Sequence, residues 1–542
     1  MKANHEVTNQ VPPLEGYDVA NYPVITEYLD RVGAGEALPE LHEVGQLAGS
    51  AEWITVGDLA EEHPPILETH DRYGNRIDTV RYDPAYHRLM DVAVSRGMAG
   101  HPWAADDSHA HLVRAAKFGV WASVDAGHGC PISMTYAVVP ALRHNPELAA
   151  QYEPGLTSLE YQPELTVPAQ KKGLIAGMSM TEKQGGSDVR ANTTSAVPQG
   201  DGSYLITGHK WFTSAPNSDL LLVLAQTPEG LSCFFVPRIL PDGSRNNIYL
   251  QRLKNKLGNH SNASSEVEYH DAVGWMVGEP GRGVRTIIEM VNMTRLDCTT
   301  ASAAVMRNGT TAAAHHAAYR SAFGAKLVDQ PLMRNVLADL HLEAEAATLT
   351  ALWLADLTDR ALTDEHAAQL RRISLAVSKY FICKRAPMHA AEALECLGGN
   401  GYVEDSRMPR LFRESPLMSI WEGSGNVAAL DTLRAIGRDP QTLTVFFDEL
   451  GAATGSDATY DGALVALKDS FADASSLEYR ARHIVGQMAT MLSASLLIRY
   501  GHPAVADAFT GSRLGGGWGS VYGTLGAGAD TAALVSRATP KL

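Results

Sequence analysis

The chain has 542 residues, 45% of them hydrophobic, and a formal net charge of −16 at pH 7. This length exceeds what one hydrophobic core supports, so several domains are expected, with interior enough to bury a large cofactor. The acidic balance excludes a surface built throughout to bind nucleic-acid phosphates, and five widely spaced cysteines without a C-x-x-C pair favour buried thiols over a disulfide or zinc framework.

Residues 1–175 mix proline-bearing connectors with helical periodicity, as in DPAYHRLMDVAVSRGMAG. From 176 to 283, short β-rich runs such as GSYLITGHKWFTS and LSCFFVPRIL alternate with turns and predict an all-β domain. From 284 to 440, segments rich in Ala, Leu and Met predict long packed helices, which end at Gly437 and the Arg-Asp-Pro that follows. The remainder, 441–542, has two helix-like stretches and then the glycine-rich GSRLGGGWGSVYGTLGAGAD.

No run of about eighteen apolar residues appears, and the first residues, MKANHEVTNQVPPLEGYD, have neither an apolar signal-peptide core nor an arginine-rich transit character. We therefore expect a cytoplasmic protein without a membrane partner. No cluster of residues suggests a metal site.

The segment IWEGSGNVAALDTLR contains Gly423, Gly425 and Ala428 at the G-x-G-x-x-A spacing of a dinucleotide-binding helix. That fingerprint needs a preceding strand within a βαβ unit, whereas LFRESPLMSIW is short and stands among helical segments. A nicotinamide site is therefore disfavoured. The residues alone leave two interpretations open: a glycine turn that merely caps a helix, or a turn that presents the neighbouring carboxylate of Glu422.

Four further motifs accompany IWEGSGN along the chain. MSMTEKQGGSD follows an apolar strand, and its small residues let backbone N–H groups approach a ring or a phosphate, although a plain hairpin turn would have the same composition. Together with KWFTS, RSAFG, LGGNGY and IWEGSGN, it resembles the acyl-CoA dehydrogenase flavoprotein family in order and approximate spacing. Stretches such as GLSCFFVPRILPDG and LKNKLGNHSNASSEVE resemble one branch of that family, the bacterial adaptive-response proteins induced by alkylating agents.

The resemblance implies a multidomain α+β fold of the acyl-CoA dehydrogenase type. A helical N-terminal domain would occupy 1–175, and a β-barrel-like middle domain that carries FAD would occupy 176–283. A C-terminal four-helix bundle with further FAD contacts and the catalytic glutamate would follow at 284–440, and then an extra helical domain of the adaptive-response branch at 441–542.

Dehydrogenation of an acyl thioester removes an α-proton while a hydride leaves the β-carbon for flavin N5, so a carboxylate base must stand within reach of the substrate. The resemblance places Glu422 as that base, with its backbone N–H donating to the thioester carbonyl. Burial beside Trp421 would raise the pKa of the Glu422 carboxyl. Relatives that carry the base on an earlier helix have it where this chain has Thr294, which cannot serve as a base.

Two arginines are expected near this site by the same resemblance. Arg295 and Arg434 would either bind a substrate group or neutralise Glu422 and Asp431. They complete, with Glu422, the expected catalytic set.

The resemblance also implies FAD as the cofactor, in a homotetramer built as a dimer of dimers. Thr213 would donate near flavin N5, although a strand surface hydroxyl would look the same in the sequence. Arg320 and Phe323 resemble residues that reach FAD from a neighbouring subunit, although Arg320 alone could be a solvated helix charge. The positive end of a helix that starts near Gly425 or Asn426 would point toward the flavin. The expected FAD contacts are Met178, Met180, Thr181, Gly185, Gly186, Ser187, Phe212, Thr213, Ser214, Arg320, Phe323, Ile420, Trp421, Gly423, Ser424, Gly425 and Asn426.

Two functions compete at this point. The first is an FAD-dependent acyl-CoA dehydrogenase-like oxidoreductase that acts on acyl-CoA or a related small substrate, with the weak activity implied by the branch. The alternative is a DNA-associated protective flavoprotein of the alkylation-damage response with little or no dehydrogenase activity. From residue 441 onward seven basic residues stand against nine acidic ones, a net of −2, so DNA binding would need a local cluster of Arg480, Arg482, Arg499 and Arg513.

Overall fold

The computed structural model describes residues 4–542, which form two compact units, each assembled from separate stretches of chain. The first unit combines the described residues up to Trp53 with His111–Ser123 and Cys298–Leu542. The second combines Ile54–Ala110 with Val124–Asp297. The domain boundaries drawn from the sequence follow changes of secondary structure, whereas these units follow contacts between distant stretches, so the four domains stay a prediction.

The helices begin where local chemistry favours a start. Pro84, Pro146 and Pro331 each open a helix at a position where the missing N–H has no intrahelical partner to lose. The carboxylate of Asp364 accepts a hydrogen bond from the His366 amide and so caps the helix that follows. In chain order the helices are α1 (Pro23–Val32), α2 (Leu38–Ala48), α3 (Ala51–Glu62), α4 (Pro84–Ser95), α5 (Ala110–Trp121), α6 (Gly129–Leu142), α7 (Pro146–Leu156), α8 (Gly283–Tyr319), α9 (Pro331–Arg360), α10 (Glu365–Glu395), α11 (Met408–Glu414), α12 (Gly425–Arg438), α13 (Gln441–Gly451), α14 (Ala458–Asp469), α15 (Ala481–Tyr500), α16 (Pro503–Phe509) and α17 (Thr531–Ala538).

The sheet-rich part of the chain lies in the second unit and takes the barrel-like form expected from the sequence. Its strand order is β3-β5-β4-β6-β7-β9-β8, and additional pairings of β3 with β6 and of β5 with β9 close the sheet on itself. Two short hairpins, β1–β2 and β10–β11, stand apart from this sheet. The strands are β1 (Ile66–His70), β2 (Arg76–Arg81), β3 (Ala176–Thr181), β4 (Ser195–Pro198), β5 (Ser203–Ser214), β6 (Leu220–Thr227), β7 (Gly230–Pro237), β8 (Ile248–Leu253), β9 (Ser264–Val277), β10 (Ser321–Ala322) and β11 (Ala325–Lys326).

The barrel interior is filled by apolar side chains from alternate positions of its strands, such as Ile206, Phe234 and Leu250. The β1–β2 hairpin falls within the stretch that the sequence indicated to be mostly helical. It packs Leu67 and Val80 against this same cluster. A hairpin therefore extends the hydrophobic core of the second unit beyond the barrel.

Long helices form the core of the first unit. α9 is buried from Leu337 to Asp359, so it has no solvent-facing stripe there. Small side chains on the neighbouring helices, such as Ala303 on α8, Ala347 on α9 and Ala386 on α10, belong to one buried cluster. Small residues at such contacts let helix backbones approach closely, which is the packing that the Ala-rich sequence predicted.

The glycine-rich stretch near the C-terminus is tied to α9 by buried charges. Arg513 donates to the Asp339 carboxylate at 2.5 Å, and the Tyr522 hydroxyl donates to Glu343. Arg385 of α10 also pairs with Glu343 at 2.9 Å. Burial opposes ionisation of Glu343, but the two arginines outweigh it, and the pKa of that carboxyl lies below its usual value.

No helix within residues 4–542 is long and apolar enough to cross a membrane. In the same part of the chain, no group of three or more His, Cys, Asp or Glu side chains is arranged to hold a metal ion. The five cysteines are buried, and none forms a disulfide.

Candidate active site

Glu422 sits in a left-handed turn that leads into α12. Its φ is +58°, and that of Gly423 is +103°. A residue with a Cβ atom costs about 1–2 kcal/mol in this region, so a glutamate held there points to a functional constraint. The preceding elements are α11 and a short 3₁₀ helix at Leu417–Ser419, not a strand, which argues against the nicotinamide interpretation of these glycines.

One buried lysine binds the turn on both sides of Glu422. The Lys379 Nζ atom donates to the carbonyl oxygens of Trp421 and Gly423 at 2.6 and 2.5 Å. Lys379 is 1% exposed and lies on α10. Lys379 was not predicted from the sequence, although a lysine among the apolar residues of a long helix, four residues before Cys383, was a signal that could have found it.

The other residues of IWEGSGN differ in exposure. Trp421 is partly buried against Cys298, Cys383 and Met418, as expected. Ile420 is 64% exposed. Ser424 and Asn426 are also exposed, and α12 begins at Gly425, where the sequence placed a helix start.

The two expected arginines lie in different units. Arg434 is exposed on α12 of the first unit, where Asp431 forms an ion pair with Arg372 at 3.0 Å. Arg295 is buried on the part of α8 that belongs to the second unit. The neighbouring Thr294 hydroxyl donates to the Val291 carbonyl at 3.0 Å, within its own helix.

In the second unit, the two β-domain motifs lie on paired strands. β3 and β5 are antiparallel, with Met178 opposite Ser214, Ser179 opposite Thr213 and Thr181 opposite Phe212. Phe212 is 49% exposed, and the Lys254 ammonium group lies 4.6 Å from the centroid of its ring. The pairing therefore brings together six of the expected cofactor contacts, namely Met178, Met180, Thr181, Phe212, Thr213 and Ser214.

Three buried hydroxyl groups form a chain inside this part of the barrel. The Tyr269 hydroxyl donates to Ser179 Oγ at 2.9 Å, and Ser179 Oγ lies 2.5 Å from Thr213 Oγ1. Burial raises the pKa of Tyr269 to about 12, so its proton stays in place at neutral pH. When the Ser179 hydroxyl donates its hydrogen bond to Thr213 Oγ1, the Thr213 O–H can donate to another group. Thr213 was predicted from the sequence, whereas Ser179 and Tyr269 were not.

A buried ion pair joins the two motifs. Lys210 of KWFTS donates to Glu182 of MSMTEKQGGSD at 2.9 Å, and the backbone amides of Thr193 and Thr194 also donate to this carboxylate. Burial works against the charge of Glu182, but these hydrogen bonds and Lys210 outweigh it and lower its pKa to about 2. Burial lowers the pKa of Lys210 to about 8, against the opposing effect of Glu182.

The glycines of QGGSD are needed for different reasons. Gly185 has a φ of +133°, a conformation that L side chains rarely adopt. A Cβ atom on Gly186 would lie 2.6 Å from Thr181 Oγ1. Ser187, which follows, is exposed. The loop thus presents backbone and a hydroxyl group to solvent directly after β3.

RSAFG forms the β10–β11 hairpin of the first unit. Phe323 stands at its tip with a φ of +53° and is fully exposed, at 101%. The Arg320 guanidinium donates to the Asn9 carbonyl at 2.6 Å, and the Asn9 amide donates to the Ser321 carbonyl at 2.8 Å. Within one chain, therefore, Arg320 is bound to the N-terminal segment, while Phe323 is presented outward.

The C-terminal arginines do not form an exposed cluster of four. Arg513 is 7% exposed and paired with Asp339, and Arg499 is paired with Glu449. The Arg480 guanidinium donates to the Ser470 and Asp473 carbonyls. Arg482 lies 3.3 Å from the Tyr380 hydroxyl, to which it donates.

Three sequence models of known families match the chain in succession. The N-terminal domain of the adaptive response protein AidB matches residues 9–163. The middle domain of acyl-CoA dehydrogenases matches 177–272, and their C-terminal domain matches 281–437.

Individual relatives cover nearly the whole chain. AidB of Escherichia coli (strain K12), an acyl-CoA dehydrogenase-like protein, is 43% identical over 510 residues, which are 93% of each chain. The acyl-CoA dehydrogenase family member 11 of Caenorhabditis elegans is 29% identical over 82% of this chain and 77% of its own. A solved structure of Caenorhabditis elegans ACDH-11 in complex with C11-CoA is similar with a TM-score of 0.84 and 27% identity, and the match covers 94% of this chain and 92% of that chain.

Proposed function

The chain belongs to the acyl-CoA dehydrogenase family of FAD-dependent oxidoreductases, and on that premise we propose that it oxidises an acyl-CoA or related thioester with Glu422 as the base. The observation that carries this proposal is the left-handed backbone of Glu422. A glycine would adopt that φ without strain. A glutamate at this position is explained if its carboxylate abstracts the proton, because glycine has no side chain to do so.

The proposed reaction assigns the proton to the protein. The α-carbon of a thioester is a weak acid, and Glu422 would take its proton while the Glu422 backbone N–H donates to the thioester carbonyl. When bound, FAD supplies the acceptor for the hydride that leaves the β-carbon. Gly423 has no Cβ atom, so substrate and backbone can approach each other closely beside the carboxylate.

The residues of the second unit fit a flavin. Paired β3 and β5 set the methionines of MSMTEKQGGSD beside the exposed ring of Phe212. In the arrangement in which Ser179 donates to Thr213, the Thr213 hydroxyl keeps its own proton to donate, as a flavin ring nitrogen would require. The exposed QGGSD loop offers backbone N–H groups and Ser187 to a pyrophosphate.

The hairpin at Arg320 supports a cofactor site shared between subunits. Phe323 is held fully exposed at a hairpin tip in a left-handed conformation, and aromatic side chains are enriched among the residues that form interfaces. We propose a homotetramer in which Arg320 and Phe323 complete the FAD site of a neighbouring subunit. Gln330, which donates to the Ala322 carbonyl at 2.9 Å, supports the hairpin at its base.

The alternative of a DNA-associated protective flavoprotein draws on the match of residues 9–163 to the adaptive-response protein. Its requirement for a basic surface in the C-terminal region is not supported, because Arg499 and Arg513 are engaged in ion pairs and Arg513 is buried. We therefore rank oxidation of a thioester first.

The visible spectrum of the purified protein tests the proposal. We expect a yellow protein with noncovalent FAD whose absorbance bleaches when one member of an acyl-CoA panel is added without oxygen. A protein that cannot retain FAD at saturating concentration would contradict the cofactor assignment. A flavin that stays oxidised with every acyl-CoA, although it is reduced by dithionite, would contradict the reaction and favour the alternative.

A further inference from the structure

We propose that Lys379 is a positioning residue for proton abstraction: by binding the carbonyl groups on both sides of Glu422, it holds the turn that aims this carboxylate. The inference rests on the proposed role of Glu422 as the base. Lys379 itself touches neither substrate nor cofactor in this account.

The geometry of the two hydrogen bonds carries the inference. The carbonyl of Trp421 precedes Glu422, and the carbonyl of Gly423 follows it, yet both accept from the same Nζ atom at 2.6 and 2.5 Å. Rotation of the backbone about Glu422 toward a right-handed conformation would swing these two carbonyls apart. A single ammonium group bound to both therefore opposes that rotation.

The strength of the restraint follows from charge and burial. Hydrogen bonds from an ammonium group are shorter and roughly twice as strong as those between neutral groups. Lys379 is 1% exposed, so water does not compete for its protons. Two adjacent residues with positive φ, Glu422 and Gly423, can persist only where the surroundings over-determine them, and this lysine supplies such surroundings.

The part of α10 that carries Lys379 makes further contacts with its neighbours. One turn further along α10, the Cys383 thiol donates to the Cys298 carbonyl at 3.5 Å. The residue after Cys383, Lys384, lies beside the first residue of α12, since a Cβ atom on Gly425 would lie 3.4 Å from its Cδ. α10 therefore binds the turn itself through Lys379, whereas Lys384 only packs against the helix that follows.

The test compares three variants with the wild-type protein. Lys379→Met removes both hydrogen bonds and keeps the length of the side chain. Lys379→Gln keeps an amide donor and provides a folded variant if Met is not tolerated. Lys384→Met is the matched control, because it removes a lysine from the same helix near the turn without removing a bond to either carbonyl. Circular dichroism and FAD absorbance check fold and cofactor content.

Three measurements then report on position. The first is the rate of anaerobic flavin reduction at saturating acyl-CoA, together with the Kd of that acyl-CoA. The second is exchange of the acyl-CoA α-hydrogen with deuterium oxide by NMR, in which Glu422 takes a proton and returns a deuteron without hydride transfer. The third is the φ angle of residue 422, measured in a crystal structure of each variant without FAD.

We expect Lys379→Met to keep FAD and to bind acyl-CoA at most about tenfold more weakly than the wild type, the cost of the one hydrogen bond from the Glu422 backbone N–H to the thioester carbonyl. Reduction and exchange should both slow by about 10- to 100-fold, the range that a displacement near 1 Å can cause. Residue 422 should leave the left-handed region. Lys379→Gln should fall between Met and wild type, and Lys384→Met should match the wild type.

A double variant separates this inference from its premise. In a Glu422→Gln background, Lys379→Met should change the residual rate by less than about twofold, because a positioning residue has nothing left to position. Wild-type rates of reduction and exchange in a folded Lys379→Met or Lys379→Gln protein would overturn the inference, as would a slow variant whose residue 422 keeps its φ. Wild-type rates in Glu422→Gln alone would instead overturn the assignment of the base and leave the backbone result to stand.

Discussion

At the scale of single residues, two side chains of the proposed site belong to residues whose backbone adopts the left-handed conformation that favours glycine. Glu422 and Phe323 both adopt left-handed φ values, and both belong to motifs that the sequence singled out for chemistry or assembly. Such strain clusters at functional sites, although Ala215 and Arg407 adopt left-handed φ values as well. Neither φ value could be read from the sequence, because the motifs fix the residue type but not the turn in which it lies.

The first prediction concerns the carboxylate of Glu422. Glu422→Gln should keep the fold and FAD, because the amide nearly matches the carboxylate in volume. It should slow flavin reduction by acyl-CoA by about 10²- to 10⁴-fold, the usual contribution of a general base. Stopped-flow absorbance under anaerobic conditions measures this rate.

Glu404→Gln is a suitable control for that experiment, because Glu404 is an exposed partner of Arg413 and has no proposed role in the reaction. It should reduce as fast as the wild type. If Glu422→Gln also did, another group would be the base or the reaction would not be this dehydrogenation.

The second prediction separates two glycines that the sequence treated alike. Gly425 has room for a methyl group, because the nearest atom to its Cβ would lie at an ordinary contact distance of 3.4 Å. Gly425→Ala should therefore change the free energy of unfolding by less than about 0.5 kcal/mol, as substitutions away from strained or tightly packed positions usually do. Its FAD content should equal that of the wild type. Gly423 has a φ of +103°, so Gly423→Ala should lower the free energy of unfolding by about 1–2 kcal/mol. Urea unfolding and FAD absorbance measure both, and equal losses would contradict the turn described here.

At the scale of secondary-structure elements, β3 and β5 are the framework of the cofactor motifs. The Glu182–Lys210 pair is almost completely buried and lies where these strands meet. Breaking a buried pair by removing one partner typically costs about 3–5 kcal/mol. We therefore expect Lys210→Met to destabilise the second unit strongly and Glu182→Gln/Lys210→Met to recover much of the loss, as measured by urea unfolding.

The same pair gives a pH dependence with a definite sign. The pKa of Glu182 is lowered from 4.5 to about 2 in the folded protein, so its contribution to stability is complete above pH 4.5 and is lost as the pH falls toward 2. Acid unfolding followed by circular dichroism should show a shallower loss of stability in this window for Glu182→Gln. An unchanged acid limb would contradict the lowered pKa of Glu182, which the hydrogen bonds from Thr193 and Thr194 and the charge of Lys210 produce together.

Much at this scale could be predicted from the sequence. The β-rich run from 176 and the long helices after 283 are confirmed, since their residue patterns are local. The expected family and the barrel-like sheet are confirmed as well. Lys379, Ser179 and Tyr269 were missed, because the choice of partners 42 and 44 residues away for Lys379, or 90 for Tyr269, is set by tertiary packing and leaves no local pattern.

At the scale of the whole molecule, the prediction concerns assembly. Phe323→Ser removes the exposed aromatic anchor, so light scattering should show a smaller species than the tetramer proposed for the wild type, and FAD should dissociate more readily. Tyr479→Ser is the control, because Tyr479 is 95% exposed but lies in the C-terminal region far along the chain from the hairpin. A monomeric wild-type protein with full FAD occupancy would contradict the shared site.

The division of the chain into interleaved stretches has a consequence for the order in which the protein is made. Every residue of the second unit has been synthesised once Asp297 is added, whereas the first unit waits for its last contacts, such as that of Arg537 with Glu27, 510 residues earlier. At ribosomal speeds of about 5–20 residues per second, the early stretches of the first unit wait roughly 25–100 seconds for these last partners. During this interval the acidic residues of α9 lack Arg513, so a ribosome that stalls late leaves a chain whose barrel can close but whose helical core cannot.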